Sequence, residues 1–200
     1  IRYRIGDRLA EAVRTTPEAS DLQDLFAEMV EAGCRHAVME VSSHSLALRR
    51  VHGCAFRVAV FTNLTRDHLD FHGDMDAYFA AKARLFEVLL PPGGTAVVNA
   101  DSDRAEQLGA ICARRGIRFW TYGAKGEEFR LLADEPTPTG QHLVLDVMGV
   151  RHEIDLPLVG GFQASNALAA LGLVVATGGE PARAVEALGH LTGAPGRLQL

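Results

Sequence analysis

Three features of this chain are placed to do chemistry. Lys82 interrupts an apolar stripe, Glu40 ends an apolar run, and Asp67, His68, Asp70 and His72 crowd one short loop. Lys82 lies four residues after Tyr78, three after Phe79, three before Leu85 and four before Phe86. On a helix that spacing puts it inside the apolar face. Its stem can snorkel past the face and carry the ammonium to water. Alternatively the amine is desolvated, its pKa falls, and the neutral form reacts, for instance with carbon dioxide to give a carbamate. A carbamate is an anionic oxygen donor, and oxygen donors suit Mg²⁺. Glu40, at the end of a Val/Met strand, is costly unless it is paired or binds a metal. Arg49, Arg50 and Arg66 are the candidate partners. The loop offers four ligands, but HxxxH without a cysteine is weak support for zinc. A solvated loop capped by Asp67 or Asp70 is the plain alternative.

The elements that must position these groups read as follows. Ile1 to Val13 predicts a β-hairpin around Gly6-Asp7, followed by a polar loop at Thr15-Thr16-Pro17. Ser20-Asp21-Leu22-Gln23 reads as a capping box, and Leu22, Leu25, Phe26, Met29 and Val30 give the helix after it one apolar face that Gly33 ends. Strands are predicted at His36 to Val41, Phe56 to Thr62, Thr95 to Asn99 and Ile117 to Tyr122, with helices at Asp74 to Leu90 and Asp103 to Arg115 between them and a short one from Ser43 to Arg50. Asp74 is the predicted N-cap of the helix that carries Lys82. Alternating helices and nearly continuous apolar strands from Ser20 to Tyr122 predict an α/β fold, a mainly parallel sheet covered by helices. After Tyr122 the pattern changes to turn-separated strands, with a hairpin at Met148-Gly149 and a small antiparallel sheet. An Ala-rich helix from Gly161 to Thr177 and a last one from Pro181 to Leu191 follow. In such a sheet, ligands bind outside the carboxyl ends of the strands. Three of those exits are polar: Glu40-Val41-Ser42-Ser43, Thr62-Asn63 and Asn99-Ala100-Asp101.

Composition narrows the function. The 200 residues suffice for one large domain, and 48% apolar content supplies a core. A net charge of −5 with no basic run argues against nucleic acid. No apolar run reaches membrane-span length and no signal peptide opens the chain, so no membrane insertion is expected. Cys34, Cys54 and Cys112 form no CxxC pair, which fits reduced thiols and a cytoplasmic protein. The chain begins at Ile1 within IRYRI and ends at Gly196-Arg197-Leu198-Gln199-Leu200, and the expectation is the interior of a longer protein.

Three ordered motifs carry a resemblance: Glu40-Val41-Ser42-Ser43-His44, Thr62 to Gly73 (TNLTRDHLDFHG) and Tyr78-Phe79-Ala80-Ala81-Lys82. Together they resemble the central, ATP-binding domain of the Mur ligases, from the Thr15-Thr16-Pro17 loop to Gly196-Arg197. The branch most resembled adds the third peptide residue, diaminopimelate or lysine, to UDP-N-acetylmuramoyl-L-alanyl-D-glutamate. The resemblance implies an ATP-dependent ligase of peptidoglycan precursor synthesis that works through an acyl phosphate. It implies that Glu40 holds the Mg²⁺ shared with the ATP phosphates, and that His68 and a carbamylated Lys82 hold a second Mg²⁺. It places Thr15, Thr16, Ser42 and Arg50 on the UDP-muramoyl-dipeptide, Asn166 near the adenine, and Arg197 near the ribose or phosphates of the nucleotide.

The chain departs from the family pattern in places. Gln163 stands at the first Asn of GxFNxxN, and Leu48 replaces a polar substrate contact of some relatives. No GxxxxGK[ST] phosphate loop occurs in the 200 residues. In the family that loop lies upstream of this segment, and the domain that receives the incoming amino acid lies downstream. The segment alone is therefore expected to be inactive, with half of its ATP site elsewhere. Other readings are a folylpolyglutamate synthetase-like ligase, against which the Glu40 to His44 run argues, a non-catalytic binding fragment, and a metal-dependent hydrolase using the Asp/His loop.

Overall fold

The computed structural model describes residues 2–193. The chain forms two compact units: one takes the residues up to Ala55 together with Arg66–Leu85, and the other takes Phe56–Thr65 and the residues from Phe86 onward.

The first unit is built from short elements. β1 (Arg2–Ile5) and β2 (Arg8–Glu11) form an antiparallel pair, Ile5 facing Arg8 across Gly6-Asp7. Gly6 has φ of +57°, which a residue without Cβ adopts at little cost. α1 (Ala19–Glu31) starts one residue earlier than the predicted capping box and has Glu18, not Ser20, as N-cap. The Ser20 hydroxyl turns to Asp21 instead. α2 (Ser43–Ala47) is capped by Ser42, whose side chain accepts from the Ser45 N–H at 3.2 Å. α3 (Leu69–His72) is a single turn. α4 (Met75–Arg84) has the predicted cap, Asp74 accepting from Ala77 N–H at 2.7 Å. It changes to a π-helical turn over Leu85–Leu89, so the helical run reaches the predicted end with a change of winding.

One predicted strand is missing. His36 to Val41 has no ladder in the structure, and Val38 is 75% exposed. An apolar run becomes a strand only when a neighbour satisfies its N–H and C=O groups. Among the described residues this run finds no such neighbour. Its last residues are held by a side chain instead, as described below.

The second unit is one six-stranded sheet in the order β3 (Val58–Phe61), β4 (Thr95–Asn99), β5 (Arg118–Gly123), β6 (Phe129–Thr137), β7 (Gly140–Val147) and β8 (Val150–Leu156). β3 to β6 pair in parallel and β6 to β8 antiparallel, so the predicted antiparallel part continues the main sheet. The separate small sheet is β1 with β2. Met148 and Gly149 both have positive φ, at 53° and 85°, and make the tight turn between β7 and β8. The side chains of β4 alternate between two covered faces. Val97 meets α6 (Phe162–Ala176) so closely that a Cβ on Gly172 would lie 2.6 Å from its Cγ1. On the other face, Phe119, in register with Ala96, packs on Gly109 of α5 (Ala105–Arg115). α7 (Pro181–Leu188) contributes Val185 and Leu188 to the same core as Phe129, Leu143, Leu145 and Leu168.

Candidate active site

The chemistry-bearing residues of the first unit converge on α2, α3 and α4. Lys82 sits on α4 between buried Tyr78 and buried Leu85 and Phe86, as its spacing predicts. Its Nζ lies 5.3 Å from the centre of the Tyr78 ring. Burial pushes the Lys82 amine below its ordinary pKa, and the Glu40 carboxylate acts in the opposite direction. Glu40 and Lys82 therefore share one electrostatic environment, although Glu40 itself is exposed.

The stretch that carries Glu40 is fixed by Thr16. The Thr16 hydroxyl donates to the Glu40 carbonyl at 2.9 Å and accepts from the Ser42 N–H at 3.1 Å. Thr16 is 1% exposed, so this one side chain does the work that a missing ladder leaves undone. Ser42 then caps α2, and Ser45 Oγ donates back to the Ser42 carbonyl at 2.6 Å.

At the other end of α2, Arg49 takes the left-handed conformation, with φ of 57°, and turns the chain so that Arg50 follows. The Arg50 side chain is only 14% exposed, and its Nε lies 3.0 Å from Glu18 Oε2 in an ion pair. The angle there falls short of a hydrogen bond. Glu18 also pairs with Arg14, so it clasps two guanidinium groups from the N-cap position of α1. Thr15 is half-buried beside Thr16. Glu40 does not take Arg49, Arg50 or Arg66 as an ion-pair partner among the described contacts.

The Asp/His loop is shaped by His68, which is left-handed at φ 55° and caps α3. Such a backbone is uncommon for a side chain with Cβ and is held here by Asp67, whose Oδ1 accepts the His68 N–H at 2.8 Å. Asp67 Oδ2 also lies 3.5 Å from His68 Nε2. The loop places its rings in a cluster that sequence alone did not assemble. His44 stands 5.0 Å from His68 and 4.2 Å from Phe71, and His72 stacks on Tyr78 at 5.0 Å with 19° between the planes. His72 Nε2 is 3.0 Å from Ser43 Oγ. Burial, then the neighbouring His44 and His68, push His72 below its ordinary pKa, Asp70 acting against them. Tyr78 is pushed up by burial and by Asp67, while its hydrogen bond with Ser43 works the other way.

Among the described residues no three His, Cys, Asp or Glu side chains converge to hold a metal ion.

The polar strand exits of the second unit are occupied by structural bonds. Asn99 Nδ2 donates to the Thr62 carbonyl at 2.8 Å and its Oδ1 accepts from Asp101 N–H at 2.9 Å. The Asp101 carboxylate takes the N–H groups of Ala124 and Lys125 at 2.8 and 3.0 Å. The Tyr122 hydroxyl lies 3.3 Å from the Phe61 carbonyl, and burial pushes its pKa upward. On the first turn of α6, exposed Asn166 donates from Nδ2 to Gln163 Oε1 at 3.3 Å. Gln163 is 9% exposed, so at the departure from GxFNxxN the longer amide is held inside and supports Asn166. Arg197 lies outside the described residues.

Sequence reasoning missed the parts played by Glu18, His44 and Ser43. The signals were present: an acidic residue directly after Thr-Thr-Pro, and a Ser-Ser-His run at a strand exit. Neither signal says which other residue the side chain will meet.

The helix-covered, partly parallel sheet of the second unit defines an α/β protein. Residues 1–174 match the Mur ligase middle domain, and the chain belongs to that family. The UDP-N-acetylmuramoyl-L-alanyl-D-glutamate–2,6-diaminopimelate ligase of Caulobacter vibrioides is 46% identical over 185 residues, 92% of this chain and 38% of that protein. The ligase of the same name from Gloeobacter violaceus is 45% identical over 190 residues, 94% of this chain and 38% of that protein. A solved structure of a ligase with this name superposes with a TM-score of 0.84 at 32% identity, covering 92% of this chain and 38% of that one. Mycobacterium tuberculosis folylpolyglutamate synthase, solved with ADP and AMPPCP, superposes with a TM-score of 0.59 at 29% identity over 72% of this chain and 33% of that one. The chain thus spans 38% of the length of these curated relatives. No described helix is long and apolar enough to cross a membrane.

Proposed function

We propose that this chain is the middle part of an ATP-dependent ligase that adds diaminopimelate to UDP-N-acetylmuramoyl-L-alanyl-D-glutamate. The reading rests on family membership and on the name shared by the relatives at 45 and 46% identity. The single structural observation that carries the chemistry is Lys82, a half-buried amine of lowered pKa in the field of Glu40. Lysine remains the alternative incoming amino acid, and the phosphate-cradling loop and the amino-acid-binding domain belong to other parts of the whole protein. Such a protein acts in the cytoplasm, where ATP and the nucleotide-linked precursor are made.

In this reaction the D-glutamate side-chain carboxylate attacks the γ-phosphorus of ATP, and ADP leaves. The amine of the incoming amino acid then attacks the acyl carbon, phosphate leaves, and the amine loses a proton. The protein's share is position and electrostatics. Lys82, with its pKa lowered, is neutral often enough to take up carbon dioxide, losing one proton and gaining a carboxylate. That anion and His68 would hold one Mg²⁺, and Glu40 would hold another shared with the ATP phosphates. When bound, Mg²⁺ neutralises phosphate charge and draws the two anionic reactants together. Arg50, held by Glu18, keeps the rest of its guanidinium for an anionic group of the muramoyl dipeptide, with Thr15 and Ser42 beside it. Thr16 acts by fixing the Glu40 to Ser42 backbone. Asn166 and Arg197 are assigned to the nucleotide.

The test uses the whole natural protein. Lys82→Ala should lose tripeptide formation, and short carboxylic acids should restore part of it by supplying the missing carboxylate. Undiminished turnover in the unsupplemented variant would overturn the reading of Lys82.

A further inference from the structure

Glu40 and Lys82 are far apart in sequence, and the structure gives them a common anchor that the mechanism above does not use. His72 closes α3, and its N–H donates to the His68 carbonyl at 3.0 Å. Its Nε2 meets Ser43 Oγ at 3.0 Å. Ser43 is 3% exposed and lies three residues after Glu40, next to the Ser42 N–H that Thr16 accepts. The flat face of His72 stacks on Tyr78, whose ring stands 5.3 Å from Lys82 Nζ one helical turn on. One side chain therefore joins the stretch carrying Glu40, the turn carrying His68 and the helix carrying Lys82.

We propose that His72 is a positioning residue, which holds the Tyr78 wall behind Lys82 in register with the Glu40 stretch and so sets the place of the carbamate. The proposal rests on the reading of Lys82 given above. Two properties are needed at once: a flat ring to stack on Tyr78 and a polar edge to satisfy buried Ser43. Phenylalanine keeps the first and glutamine the second, and only histidine has both at this length. Without Nε2 the buried Ser43 hydroxyl keeps only its bond to Tyr78, and the hold of α3 on α2 and α4 loosens. The substrate and nucleotide do not need to touch His72 for this to matter. Residues that orient metal ligands from behind commonly affect activity strongly when changed.

The experiment is carried out on the whole natural protein in ¹³C-bicarbonate. The carbamate carbon is observed by NMR, with Lys82→Arg as the unlabelled control. His72→Phe is expected to weaken the carbamate signal and to lower kcat about tenfold, as for other residues behind a ligand. KM for the muramoyl dipeptide should stay unchanged. Ser43→Ala should weaken the signal at least as much, because it removes the His72 contact and the bond to Tyr78 together, and the double variant should be no worse than Ser43→Ala alone. His72→Gln should recover part of the signal. If His72→Phe fails to fold, Ser43→Ala tests the contact, with Tyr78→Phe as the control that removes only the Ser43–Tyr78 bond. A full carbamate signal with unchanged kcat in a folded His72→Phe or Ser43→Ala variant overturns the positioning role while leaving the carbamate reading intact. A wild-type spectrum identical to that of Lys82→Arg overturns the carbamate reading, and the positioning role with it.

Discussion

The two units of this chain solve the problem of order in different ways. In the sheet unit, backbone ladders and apolar packing do most of the work, and Val97, Leu143, Leu145 and Leu168 are fully buried. In the unit that carries Lys82, the elements are short, and the core is thin around Leu22, Leu46, Val51 and Tyr78. Side chains hold backbone there: Thr16 the Glu40 stretch, Asp67 the left-handed His68, and Glu18 the Arg50 that follows α2. Apolar burial is additive and forgiving, whereas each polar clasp depends on one or two atoms. The sheet unit should therefore lose stability in proportion to volume removed, and the other should lose geometry when single atoms change.

The largest effect should come from the sheet. Phe129→Ala removes a fully buried ring packed against α6 and should cost about 3–5 kcal/mol, seen as a lower denaturant midpoint. In the site unit, Lys82→Ala should lower ligation by the whole protein about a hundredfold or more while the thermal midpoint hardly moves. If its midpoint fell as far as that of Phe129→Ala, the contrast between the units would fail.

Thr16→Val tests the clasp directly. It keeps the shape of Thr16 but leaves the Ser42 N–H without its acceptor, at a cost of about 1–3 kcal/mol. Amide exchange at Ser42 should speed up well before exchange in β4 does. Equal acceleration at both places would show that the clasp is only one part of global stability.

The pH dependence separates the units as well. Burial lowers the pKa of Lys82, so charging it in the folded state is unfavourable. That penalty is complete below the lowered folded value and disappears as pH rises past the ordinary 10.5. Carbamate formation should accordingly increase as pH climbs toward the lowered value, read as ¹³C signal at fixed dissolved carbon dioxide. In the sheet unit, burial pushes the Cys112 thiol up to about 11, so at pH 8 it should react with thiol reagents far more slowly than half-buried Cys34. Rapid labelling of Cys112 in the native protein would mean that α5 opens readily.

The smallest effect should be at Val30, an apolar residue of α1 that is 74% exposed. Val30→Ser should change stability by no more than about 0.5 kcal/mol. A larger loss would show that this face is covered in the whole protein.

The sequence by itself determined the α/β class, the hairpin at Met148-Gly149, the Asp74 cap and the place of Lys82 in an apolar stripe. These depend on local properties: side-chain periodicity, positive-φ turns and a cap one residue from its helix. It also brought Glu40, His68 and Lys82 forward as one set, through motif order. Only the tertiary structure decided that His36 to Val41 is not a strand, because a strand needs a partner and periodicity does not name one. Only it showed Asn99 and Asp101 bonding to backbone at the strand exits, Gln163 supporting Asn166, and His72 joining Ser43 to Tyr78. Each of those facts is a distance between residues remote in sequence or a choice among several possible hydrogen-bond partners. Residue type limits what a side chain can bond, and the fold determines which partner it reaches.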